Sequence, residues 1–332
     1  LMLMEHNYFR RSEGLMLFGS YVEGRSALFA GFFTPRIQIM GGVQQSEVDE
    51  YAYADGGYNS KQFDDDPRGE QAEDFGTITN RYQINSDKIF VFGGGRLTSW
   101  LRASVGLAFS TVAYSEAEFI APAEEGDIRS WVASVNWGKE GRGDPGAQGG
   151  FFGSFGRIFG LGMAGVKDSL KPLPKSETSR TLSANLERGE PGLGSDREFT
   201  KLMLNANQTT LFRNRSILST ALKGGWGDPL PLSQKLSTGQ QGLLRGIYAR
   251  EYRGESLAAV SASYSRSFFR TIVGALSTEV FADYAVCWEE DEPQSKQGVG
   301  FNCAYRFWRF PLPFGGGVTY SFDDNNWQMS FA

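Results

Sequence analysis

The sequence predicts an all-β fold: a transmembrane antiparallel up-and-down β-barrel of about sixteen strands. Three observations lead there. Polar and apolar residues alternate with period two in segment after segment, as they do in strands whose successive side chains face opposite ways. The 332 residues include 42 Gly and 26 Phe, with aromatics at 14%, a mix that suits close strand contacts and many turns. No stretch approaches the roughly 18 consecutive apolar residues of a membrane helix. The mean hydropathy of -0.33 is compatible with a wall that is apolar on one face only.

Taken in order, residues 1–14, with His6, Tyr8 and Phe9, read as a short periplasmic lead-in, and 15–332 as one barrel. No signal-peptide pattern is visible, and a chain opening at Leu1 reads as a mature or trimmed form. Alternating segments follow near 15–24, 26–34, 37–51, 74–84 and 87–97. In 101–114, Leu101, Ala103, Val105, Leu107 and Phe109 share one face, and Arg102, Ser104, Gly106, Ala108 and Ser110 the other. Segment 130–137 sets Trp131, Ala133, Val135 and Trp137 against Ser130, Val132, Ser134 and Asn136. Further strands are expected at 150–163, 178–188, 201–207, 215–227, 256–267, 274–288, 298–309, 314–322 and 327–332.

A soluble sandwich shows the same alternation with its faces reversed. Three details favour the membrane. The polar faces are rich in small residues, as suits a crowded lumen. Trp131 and Trp137 lie roughly 20 Å apart along a strand, close to the spacing of interfacial girdles. The closing segment places Trp327, Met329 and Phe331 on one face at the chain end. With both termini periplasmic, the gaps at 52–73, 138–149, 189–198, 228–255 and 289–297 fall outside, as long loops should. The gaps at 115–127 and 164–177 fall on the wrong side.

Composition also excludes functions. A net charge of -5 argues against nucleic acid as a partner. The single histidine, His6, leaves no catalytic triad and no His-ligated metal site. Cys287 and Cys303 form no close pair and are expected on opposite faces. The acidic runs Asp64–Asp66 and Glu289–Glu292 lack EF-hand spacing. No catalysis, metal or cofactor is expected.

The long polar connection 228–255 carries Thr238–Gly242 leading into Leu244-Arg245-Gly246-Ile247, and a strand beyond it carries Phe281-Ala282-Asp283-Tyr284-Ala285. With the closing strands 298–332, this combination resembles the bacterial surface antigen superfamily of outer-membrane assembly and secretion barrels. Its members carry Leu/Val-Arg-Gly-Tyr/Phe on a loop folded into the lumen and Phe-x-Asp-x-Gly on the wall. The resemblance implies that Arg245 pairs with Asp283 to pin the loop, because a buried guanidinium without a carboxylate is costly. Gly246 would let the backbone pass close to the wall. By alternation Glu279 and Phe281 share the face of Asp283 and are expected as lumenal supporters. Ile247 and Ala285 depart from the pattern, and Ser265 stands where the family has an acidic residue. Arg250, Arg253 and Glu255 are expected only to keep the loop polar. The POTRA domains that usually precede such barrels are not seen in the chain.

The resemblance also implies a weak seam between the first strand (about 15–24) and the last (327–332), acting as a lateral gate. The implied function is insertion or translocation of unfolded or secreted β-rich polypeptides, with outer-membrane lipid and accessory subunits as partners. The alternative is a passive pore or a membrane-anchor subunit of an outer-membrane complex.

Overall fold

The computed structural model describes residues 2–6, 14–22, 25–34, 36–53, 57–61, 78–115, 126–138, 176–214, 216–238, 251–270, 274–289, 292–307, 313–323 and 325–331. Its strands are β1 (Met2–His6), β2 (Gly14–Val22), β3 (Arg25–Phe33), β4 (Ile37–Tyr53), β5 (Gly57–Lys61) and β6 (Ile78–Arg96). Then come β7 (Leu101–Ser115), β8 (Gly126–Gly138), β9 (Glu177–Gly189), β10 (Phe199–Leu211), β11 (Ile217–Asp228) and β12 (Leu236–Ser237). The last are β13 (Glu251–Gly254), β14 (Ser256–Arg270), β15 (Gly274–Glu289), β16 (Glu292–Phe307), β17 (Pro313–Ser321) and β18 (Asn326–Phe331).

Fifteen of these make the barrel wall, each antiparallel to the next, in the order β1, β2, β3, β4, β6, β7, β8, β9, β10, β11, β14, β15, β16, β17, β18. The short strands β5, β12 and β13 lie apart from this series. The period-two pattern becomes an inside-out distribution. Val43, Ile89, Val91, Leu107, Leu222, Val260, Val280 and Phe301 are each 40–58% exposed. Register sets them side by side, with Val43 opposite Ile89, Val91 opposite Leu107, Leu222 opposite Val260 and Val280 opposite Phe301. A continuous outward apolar belt of this kind fits lipid and not water. On the inner face Ser104 and Ser134 hydroxyls meet at 2.6 Å, and Asn205 Nδ2 donates to Ser183 Oγ at 3.3 Å.

Several expectations are corrected. Segments 74–84 and 87–97 are parts of one strand, β6, of 19 residues. Asn85-Ser86-Asp87 reads as a turn in sequence, but the outer face simply becomes polar beyond Ile89, as it does on β4 beyond Val43 at Gln45 and Glu47. Both strands run on past the roughly 9–11 residues a membrane crossing needs. The merger moves the 116–125 connection to the end of the 54–77, 190–198, 229–250 and 290–291 connections. The gap at 138–149, expected at that end, instead leaves β8 at the other one, where Gly138 N–H donates to Trp100 O at 2.8 Å. Residues 2–6 are a strand paired with β2, not lead-in; five residues are too few to display alternation. Because the wall has an odd number of antiparallel strands, Met2 and Phe331 lie at opposite ends of the barrel, not together. The expected strand at 150–163 lies outside the described residues.

The inner face is also not uniformly small and polar. Phe18, Phe29, Phe90 and Phe92 point inward and stack at centroid distances of 5.3–5.9 Å, with Met40 among them. Gly42 makes room for this cluster, since a Cβ there would lie 2.4 Å from the Phe29 ring.

Candidate functional site

The connection between β11 and β14 folds into the barrel mouth on two legs. The first, 229–238, is drawn in by burial: Leu230, Leu232 and Leu236 pack with Val112, Ile128, Phe199, Met203, Leu257 and Cys287. Polar contacts tie it to the wall. Lys201 Nζ donates to Gln234 O at 2.9 Å on one side, and Lys235 Nζ meets Glu289 at 2.6 Å on another. Leu230 N–H donates to Glu255 Oε1 at 3.3 Å.

The second leg is β13. It pairs with β12 through Leu236–Gly254 and Ser237–Arg253, and with β5 through Glu251–Tyr58 and Tyr252–Gly57. β5 in turn pairs with the far end of β4. Thr238 closes the legs together: its N–H donates to Tyr252 O at 3.0 Å, and Tyr252 N–H donates to Thr238 Oγ1 at 3.1 Å.

Three consecutive residues of β13 then meet the wall at three strands. Tyr252 lies beneath Lys296 of β16, with Nζ 5.6 Å from the ring centroid, within cation–π range. Arg253 forms a two-pronged ion pair with Glu50 of β4, at 2.5 Å and 3.0 Å. Gly254 passes so close to β15 that a Cβ would lie 2.5 Å from Trp288 O, which only glycine allows. Arg253 is 8% exposed and Glu50 1%. A carboxylate this buried is tolerable because the guanidinium supplies matched donors; removing one partner would strand the other.

The topology of these contacts matters more than their number. In the wall order, β17, β18, β1, β2 and β3 separate β16 from β4. β13 therefore joins two flanks of the barrel across the arc that contains both ends of the chain.

The predicted site residues fall as follows. Asp283 is 4% exposed on the inner face and accepts a bond from Ser261 Oγ at 2.6 Å. Glu279 accepts from Asn302 Nδ2 at 3.3 Å and lies opposite Ser265 in the ladder. Phe281 is buried over Gly300, where a Cβ would touch its ring. Val280, Ala282 and Tyr284 face outward. Arg245 and Gly246 lie outside the described residues. Trp327 and Met329 are exposed on β18, and Phe331 pairs with Gly316.

The residue that sequence reasoning undervalued is Arg253. Read as a solubilising loop arginine, it is buried and doubly bonded, because β13 carries it into the interior where Glu50 waits. Two signals were available. Arg253-Gly254 repeats the Arg245-Gly246 dipeptide eight residues on, and Glu50 continues the inward face of Gln44 and Ser46.

No protein-family profile and no curated protein matches the sequence. Solved structures do match. Over 96% of its length the chain superposes on CdiB from Escherichia coli with a TM-score of 0.61 at 14% identity, covering 54% of that chain. The fold is that of a transmembrane β-barrel. BamA from Haemophilus ducreyi lacking POTRA domains 1-3 aligns over 99% of this chain and 65% of its own, with a TM-score of 0.57 at 14% identity. CdiB from Acinetobacter baumannii aligns over 99% and 55%, with a TM-score of 0.61 at 11% identity. The chain thus spans from about half to just under two thirds of these structures. The likeness is one of fold.

Proposed function

We propose that this protein is an outer-membrane barrel that inserts or translocates other polypeptides, by parting its wall where the first and last strands meet. The observation that carries this reading is the β13 brace, because it ties together the two flanks of that region. Among the described residues β1 and β18 have five and six residues, so at most five residue pairs of these strands can join them. β15 and β16 pair along sixteen. A seam this short yields first under load. Its opened edges carry unpaired N–H and C=O groups that can template an incoming β-rich segment by strand addition.

In this reading Arg253–Glu50 and Lys296–Tyr252 hold the closed state. Arg245 with Asp283 forms a second anchor for the same loop, with Gly246 at the close approach and Glu279 and Phe281 beside it. The protein acts on unfolded or secreted β-rich chains in contact with outer-membrane lipid, alone or with accessory subunits, and without bond chemistry of its own. A disulfide engineered between β1 and β18 tests the seam. Insertion or secretion of the substrate should stop in the oxidised protein and return on reduction. A locked barrel that remains fully active would rule out lateral opening, and a large, steady single-channel current would favour a passive pore.

A further inference from the structure

Among the described residues, exposed charge is unevenly divided between the two ends, with Arg197 the exposed basic residue at the long-loop end. Beyond the outward belt on the long-loop side lie exposed carboxylates, among them Glu47, Asp87, Asp196, Glu198, Asp228 and Glu289. At the opposite end, where the turns 34–36, 97–100 and 212–216 lie and the 139–175 connection leaves and returns, the exposed basic residues among those described are Arg36, Arg96, Arg180, Arg213 and Arg266. Among the described side chains at this end, Glu177 is the one exposed carboxylate. The chain carries a net charge of -5, so a basic rim is not inherited from composition.

The rim has the make-up of a headgroup layer. Arg266 stands between Tyr264 and Phe268 on the outer face of β14, its guanidinium 5.4 Å from the Phe268 ring centroid. Arg180 is two residues from the lipid-facing Leu182 on β9, and its Nε donates to Gln208 Oε1 at 2.9 Å. Arg96 donates to Thr98 O at 3.1 Å and Ser99 O at 2.7 Å, bracing the turn that presents Trp100. Trp100 meets Trp137 edge-on at 6.1 Å, and both are exposed. Aromatic rings and long basic side chains beside an apolar belt are what a membrane–water interface selects. All five basic residues are arginines, whose fork matches phosphate oxygens.

We propose that this rim binds the phosphodiester groups of anionic phospholipids in the leaflet at the short-turn end. A membrane is favoured over a protein partner because the arginines are spread along the barrel wall, on β6, on β9, on β14 and on two separate turns, at the edge of the lipid-facing belt. A docked protein would meet one patch; a lipid annulus meets them all.

The test uses the purified barrel in phosphatidylcholine vesicles with and without phosphatidylglycerol, reading the lipids retained on the protein and its thermal unfolding. The wild type should retain phosphatidylglycerol preferentially and unfold at a higher temperature in its presence. R180Q/R266Q should lose roughly thirtyfold of that preference, from about 1 kcal/mol per interfacial charge. R180K/R266K should keep most of it, and R197Q, an exposed arginine at the other end, should keep all of it. The proposal fails if the wild type shows no preference, or if R197Q weakens it as much as R180Q/R266Q. Equal stabilisation of the detergent-solubilised protein by inorganic phosphate would overturn the lipid assignment in favour of a free-anion site.

Discussion

Two stretches of the inner wall obey the same alternation and are lined in opposite ways. On β2, β3, β4 and β6 the inward side chains Phe18, Phe29, Met40, Phe90 and Phe92 make a dry stack. On β14, β15 and β16 they are Ser261, Glu279, Asp283 and Lys296, bonded to one another's strands and to the loop. The first lining is held by burial and dispersion, which tolerate repacking. The second is held by charges that are stable only with their partners in place. Alternation says which side chains point inward; it does not say whether the inside is wet.

That contrast can be broken at graded cost. The largest effect is expected at the brace. Arg253→Met deprives the buried Glu50 carboxylate of its guanidinium and should lower unfolding stability by about 3–5 kcal/mol, measured by denaturant titration in micelles. The double variant R253M/E50L should recover much of the loss, because neither charge is then stranded. If it does not, the pair serves something other than mutual compensation. In the dry half, Phe90→Ala should cost about 3 kcal/mol through its cavity, while the exchange protection of the Tyr252 amide stays unchanged. Loss of that protection would mean the two linings are coupled. Ser261→Ala removes one donor to buried Asp283 and should cost about 1–2 kcal/mol. The smallest effect is expected for Glu198→Gln. Its pair with Arg188 is 3.3 Å long with both side chains well exposed, and such pairs contribute within about 1 kcal/mol. A larger loss there would erase the distinction between surface and lumenal pairs.

Much of the fold was legible in the chain, and the misreadings have physical causes. The outward positions of Leu107, Val135, Val280 and Tyr284 follow from counting by two. Between the expected segments 74–84 and 87–97 there is no break, because Asn85 and Ser86 are polar without leaving the strand. On a strand that outlasts the membrane, Asp87 merely marks the point where lipid gives way to water. The strand at 2–6 was missed because five residues carry too little pattern. The aromatic stack was missed because Phe29 and Phe90 sit on the face that alternation assigns to the lumen, and lumens were assumed polar.

The sequence by itself determined the strand period, the face each residue takes and the lipid-facing belt, since all three depend on neighbours one or two residues away. It also marked the loop at 228–255 as a place where a buried arginine needs an acid. Only the tertiary structure added Arg253 and Glu50 as a buried pair beside that expectation. Arg253 and Glu50 are 203 residues apart, and what brings them together is the curvature of the wall and the path of β13 across it. Neither has any local trace in the chain.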